Sequence, residues 1–119
     1  AIVGTGKPDE GLARLRSIAL SDTYQDVKAD AFYHWGLALL AQEPPKANAA
    51  LDALEKSVAL YPRETSCLAA GKAAMMLKDW EKARSYLSRA GREFPTGRPA
   101  AIEEAKRLLP EVLKQGAKK

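Results

Sequence analysis

The chain has 119 residues, which is enough for one domain with a modest hydrophobic core. Hydrophobic residues make up 46% of it but aromatic residues only 7%, a balance that favours closely packed helices over a sheet. One cysteine excludes an internal disulfide, and no apolar run approaches the roughly 18 residues of a membrane span. The net charge of +4 permits an acidic partner but does not by itself indicate nucleic acid.

Residues 1–7 form a short apolar and glycine-rich lead. Gly4 and Gly6 suggest a dinucleotide-binding loop, but Asp9 stands where the third glycine should be, and no alternating strand and helix pattern follows. A phosphate-binding loop also fails, because Pro8 replaces the Ser or Thr that should follow Lys7. The lead therefore predicts no nucleotide site, and it lacks the basic flank of a signal peptide.

The first predicted helix covers residues 8–20. Pro8 suits the first position of a helix, and Leu12, Leu15 and Ile18 form one apolar stripe at helical spacing. The chain begins at Ala1, which suggests a processed form or a piece cut from a longer protein, and the resemblance of this segment to the tail of a helical pair favours the excised piece.

Two longer helices are predicted next, over about 23–42 and 46–61. Pro44 and Pro45 separate them, and Pro62 ends the second. The first helix carries an apolar set at helical spacing: Val27, Ala31, Phe32, Trp35, Leu39 and Leu40.

The stretch from 64 to 95 reads as two short helices packed back to back. Lys78 and Asp79 make the turn between them, and Pro95 ends the unit. Small residues occupy the places where the two backbones should come close: Gly71, Ala83 and Ala90.

The preceding stretch repeats this pattern. Gly36 precedes Gly71 by 35 positions, whereas the second helices are offset by 33, so the first unit should have the longer turn. The residues that precede Ala83, Leu87, Ala90 and Pro95 by 33 positions are Ala50, Leu54, Ser57 and Pro62. A near-constant period with small residues at the same phase indicates a stacked repeat array.

This arrangement resembles the tetratricopeptide repeat. That family's pattern has an aromatic residue followed by a leucine–glycine pair and a tyrosine, then an alanine, another aromatic residue and a closing proline. The second unit keeps the small residues and the proline but has Cys67 and Leu87 at aromatic positions. The first unit has Phe32 and Trp35-Gly36. The resemblance is strong over about 29 to 95.

The resemblance implies an all-α fold: an antiparallel helix-turn-helix array of about six helices, coiled as a right-handed superhelix. We expect one domain over residues 1–119. Its parts are a lead (1–7), a half repeat (8–20), two repeats (24–62 and 64–95), a capping helix (99–114) and a tail (115–119).

The predicted capping helix begins near Pro99. Glu104 occupies the place of an apolar packing residue, which suits a terminal helix with a polar outer face. Pro110 should kink or end this helix, and the tail should be disordered.

Few residues offer catalytic chemistry. His34 is the only histidine, without a cysteine at metal-binding spacing, and we expect it to be solvent-exposed on a helix. Cys67 falls at an inward position and should be a buried, inert thiol. No nucleophile–base pair is legible, so the sequence predicts neither an enzyme nor a metal or cofactor site.

Recognition is the remaining function. In tetratricopeptide arrays the first helix of each unit lines a concave groove that holds a peptide or a partner helix. Carried over by phase, the predicted groove residues are Tyr33, Leu37, Leu40, Lys72, Met75, Met76, Ile102 and Lys106. Their apolar side chains should bury a ligand, and the two lysines should meet an acidic group at the groove edge.

The sequence therefore predicts a non-catalytic protein-binding module whose partner is a protein or peptide. A structural scaffold that self-associates, with a possible homo-oligomer, is the alternative. Nucleic-acid binding is not expected, because the cations alternate with acids, as on a solvated surface. Neither the partner nor the cellular compartment follows from these residues.

Overall fold

The computed structural model describes Ser17 and residues 24–117. Residues 24–117 form five α-helices and no strand, which confirms the all-α prediction for this part of the chain. Ser17 is helical, but the rest of the predicted helix 8–20 and the lead lie outside the described residues. The helices are α1 (Gln25–Leu40), α2 (Ala47–Leu60), α3 (Glu64–Met76), α4 (Trp80–Arg92) and α5 (Pro99–Ala117).

The chain divides into two compact units between Pro62 and Arg63. Helices α1 and α2 belong to the first unit, and α3, α4 and α5 belong to the second. This division falls at the boundary between the two predicted repeats. The single domain over 1–119 and its internal bounds stay a prediction.

In the first unit, α1 and α2 form an antiparallel pair. The Ser57 hydroxyl, late in α2, donates a hydrogen bond of 2.6 Å to the carbonyl of Ala29, early in α1. Further along α1, Gly36 lies against Leu54, which is earlier in α2. Phe32 is buried between the two helices and stacks on Trp35 with ring centroids 5.6 Å apart.

In the second unit, a tight turn joins α3 to α4. Lys78 adopts the left-handed conformation, with φ of 60°. The Asp79 amide donates to the Ala74 carbonyl at 2.9 Å, and the Lys78 amide donates to Met75 at 3.0 Å. These two bonds form the Schellman motif that ends a helix, and the Asp79 carboxylate then caps α4 by accepting from Lys82.

Both units use the same close contact between their helices. A Cβ atom at Gly36 would lie 2.6 Å from Cγ of Leu54, and one at Gly71 would lie 2.7 Å from Cγ of Leu87. Both leucines are fully buried. The two helical pairs are therefore equivalent for the same structural reason. In each pair, only glycine lets the two helices approach closely enough to make this contact.

Helix α5 runs parallel to α3 and antiparallel to α4. The Arg98 amide donates to the Glu64 carboxylate at 2.8 Å, and further along both helices Lys72 pairs with Glu104. Along α4 the contacts with α5 run in the opposite direction, since Gly91, late in α4, lies beside Lys106, early in α5. At the other end of the same pair, Trp80 lies beside Gly116. Relative to α3 and α4, α5 thus occupies the place of the first helix of a following repeat.

Pro110 does not end the last helix, so that alternative of the expectation is wrong, and a kink at Pro110 stays a prediction. Helix α5 continues through Pro110 to Ala117, so residues 115–117 of the predicted disordered tail are helical, while 118–119 lie outside the described residues. A proline inside a helix costs about 3 kcal/mol. Burial of Val112, which is 1% exposed, and of Ala105 offsets that cost.

We expect Gly71→Ala to lower the free energy of unfolding by about 1–3 kcal/mol, because the new methyl group displaces the buried Leu87. The matched control is Gly91→Ala, whose Cβ meets only the exposed and flexible Lys106 stem, at 3.3 Å. Alanine there should raise stability by about 0.5–1 kcal/mol. Urea denaturation followed by circular dichroism measures both, and equal effects of the two changes would contradict the close approach at Gly71.

A second prediction concerns the turn. Lys78→Gly should raise the free energy of unfolding by up to about 1 kcal/mol, because a left-handed L-residue costs about 1–2 kcal/mol. Lys78→Val should lower it, since a β-branched residue is strained at positive φ. Thermal melts of both variants decide this, and a Val variant as stable as the wild type would refute the assigned conformation.

Candidate partner-binding surface

In the first unit, the predicted groove residues lie on α1. Tyr33, Leu37 and Leu40 are spaced by four and three positions, so they share one face of the helix. All three are half-buried. The Tyr33 ring also lies 5.2 Å from the imidazole of His34, measured between centroids.

In the second unit, the cation of Lys72 is engaged by its own chain. Its ammonium lies 2.9 Å from the Glu104 carboxylate, and Arg107 approaches the same oxygen at 3.8 Å. The polar residue predicted to mark a capping helix is thus a partner of Lys72. An exposed ion pair of this kind contributes about 0.2–1 kcal/mol, so a ligand carboxylate can compete with Glu104 for the lysine.

Apart from the two lysines, the predicted groove residues of the second unit are apolar. Met76 is one helical turn beyond Lys72 on α3 and is 51% exposed. Met75 and Ile102 are half-buried, whereas Leu68 on the same helix is buried and belongs to the core. The exposed thioether side chain of Met76 can pack against an apolar group of a ligand.

The structure does not bring Lys106 to Lys72. The stem of Lys106 lies over Gly91, on the side of α5 that faces α4. There it lines an apolar depression between α4 and α5 that sequence reasoning missed. Two features of the sequence could have indicated this depression. Gly91 is a glycine inside a predicted helix, and Leu113 is an apolar residue beyond Pro110, where the helix was expected to kink or end.

The two residues considered for catalytic chemistry, His34 and Cys67, have the environments of ordinary structural residues. His34 is exposed and lies 3.4 Å from the Asp30 carboxylate on the same helix, as predicted for a surface histidine. Cys67 is fully buried, and this burial raises the pKa of its thiol to about 11. Within the described part of the chain, no three His, Cys, Asp or Glu side chains cluster as metal ligands. None of the described helices combines the length and the apolar character needed to cross a bilayer.

The burial of the Cys67 thiol leads to a prediction about its reactivity. The fold favours the neutral form of Cys67, so its thiolate fraction below pH 9 should be about 100-fold smaller than in the unfolded chain, whose thiol has a pKa of 9.0. Alkylation by iodoacetamide at pH 8 should therefore be at least about 100-fold slower in the native protein than in urea. Glutathione in the same buffers is the control for reagent reactivity. A native rate within a few-fold of the denatured rate would contradict the burial.

Comparison with known proteins agrees with this geometry. Residues 68–97 match a family model described as Tetratricopeptide repeat, and the match includes both Gly71 and Leu87. Searches of curated proteins and of solved structures found no match to the chain. Tetratricopeptide repeats generally serve protein–protein interaction and are not catalytic. The close helix pair, the tight turn and the family match agree, and the segment 68–97 is therefore similar to a tetratricopeptide repeat.

Proposed function

We propose that this chain is a non-catalytic module that binds a peptide or a partner helix on the first helices of its repeats. The observation that carries the proposal is the exposure of Met76, one turn beyond Lys72 on the first helix of the matched repeat. Exposure of a large apolar side chain to water is unfavourable in the free protein. A partner that covers this side chain gains the corresponding free energy of burial.

In the second unit, Met76 is the anchor and Met75 and Ile102 extend the apolar surface beside it. Methionine adapts its shape to different ligands, so this surface suits a hydrophobic side chain of variable size. A few such anchors supply most of the affinity of a protein interface. The Lys72–Glu104 pair lies at the polar side of this surface.

The role of Lys72 follows from its ion pair. A ligand carboxylate would compete with Glu104 for the Lys72 ammonium, so this contact adds little net affinity. It does favour ligands that place a carboxylate there, and it speeds association. Lys72 therefore selects and orients the ligand, whereas Met76 holds it.

In the first unit, the corresponding surface is the face of α1 with Tyr33, Leu37 and Leu40. A tyrosine offers a large apolar ring with a hydroxyl that remains able to hydrogen-bond. Half-burial holds these side chains in place before binding, which lowers the entropy lost on association. We assign this face the same role as the Met76 surface.

The test begins by capturing partners with the intact chain and identifying them by mass spectrometry. Calorimetry then compares Tyr33→Ala and Met76→Ala with the wild type. Together they should weaken binding by about 2 kcal/mol or more, the usual scale for anchor residues. The matched control is Val27→Ala, which removes another exposed apolar side chain from α1, and Arg84→Ala controls for outer-face charge.

Two results would contradict the proposal. Unchanged affinity in both the Tyr33 and Met76 variants would exclude these faces as the site. A dominant effect of Arg84→Ala, with affinity falling steeply as salt rises, would indicate nucleic-acid binding instead.

A further inference from the structure

A second surface lies between α4 and α5, on the other side of α5 from Lys72. It is a depression of about 350 Å³. Its floor is the buried Leu87, Leu109 is half-buried beside it, and Leu113 at the rim is 49% exposed. Gly91, which has no side chain, forms part of the α4 wall.

Two cations border this apolar surface. Arg92 comes from the last turn of α4, and Lys106 from α5. Both are exposed, and among residues 24–117 neither forms an ion pair. The exposed carboxylates of Glu103 and Glu111 also lie on α5 but do not line the depression. The lining therefore combines apolar side chains with two positive charges and no negative charge.

We propose that this depression binds a short acidic segment of a partner protein. One leucine-sized side chain of the segment enters between Leu87 and Leu113, and carboxylates on either side of it meet Arg92 and Lys106. This site is separate from the Met76 surface and does not depend on the function proposed for that surface.

The size and polarity of the depression support this occupant. Its volume is at the lower end of the range of about 300–1,000 Å³ for ligand pockets, which suits an apolar anchor rather than a whole helix. The apolar lining supplies affinity by burial, and the two cations select acidic segments and accelerate their association.

Charge also decides against a second copy of this chain as the occupant. A two-fold contact of this surface with its own copy would bring Arg92 and Lys106 of one copy close to those of the other, and these like charges repel. An acidic segment of another protein is instead attracted to this positive surface.

The test titrates the intact ¹⁵N-labelled chain with a short capped peptide that has a central leucine flanked by aspartates. The comparison peptide has lysines in place of the aspartates. We expect the aspartate peptide to shift the amide resonances of Gly91, Leu109 and Leu113, and the lysine peptide to leave them unchanged. Leu113→Ala should weaken binding of the aspartate peptide several-fold by removing half of the apolar rim.

Charge reversal gives the sharper comparison. Arg92→Glu combined with Lys106→Glu should weaken the aspartate peptide at least about tenfold and transfer the preference to the lysine peptide. The control, Arg84→Glu combined with Lys46→Glu, changes the net charge equally at exposed positions outside the depression and should bind like the wild type. Circular dichroism verifies that each variant is folded.

Four outcomes of the titrations would overturn the proposal: absence of shifts at millimolar peptide, equal shifts with both peptides, shifts centred on Met76, and equal loss of binding in the control pair. A dimer in sedimentation experiments that Leu113→Asp dissociates would also overturn it, since a second copy would then cover the depression. The synthetic peptide makes this test independent of the captured partner, so its failure leaves the proposal for Met76 in place.

Discussion

The close approach of glycine to leucine is the constraint on which both helical pairs depend. At Gly36 and Gly71, a side chain of even one carbon would penetrate the buried Leu54 or Leu87. Without that carbon the two backbones approach until the leucine fills the space between them, and alanines pack around the contact. Because packing at this distance leaves no free volume, the glycine also determines the register of each pair.

The second unit extends this packing with a third helix. Because α5 is parallel to α3 and antiparallel to α4, it forms a different seam with each neighbour. On the α3 side the seam ends in the ion pair of Glu104 with Lys72, which is one helical turn before Met76. On the α4 side Gly91 lines a depression that the stem of Lys106 borders. Helix α5 thus contributes to two surfaces with different chemistry.

The chemistry of these surfaces is that of recognition. The sole cysteine, Cys67, is buried, and its raised pKa makes it a poor nucleophile, while His34 pairs with a neighbouring carboxylate in solvent. In the second unit, Met76 and Leu113 are the large apolar side chains that remain exposed among the described residues, and the surface around each also carries a cation. An apolar anchor next to a charge is the arrangement by which protein interfaces combine affinity with selectivity.

The sequence alone determined the helices, their turns and the equivalence of the two pairs, because apolar spacing and the positions of glycine and proline are local properties. It also placed Cys67 in the core. Only the tertiary structure decided which cations remain unpaired, since the Lys72–Glu104 contact joins helices that are distant in sequence. It likewise placed the stem of Lys106 over Gly91, and it kept residues 115–117 helical where the sequence predicted a disordered tail, because packing of Gly116 beside Trp80 outweighs the tendency of a chain end to fray.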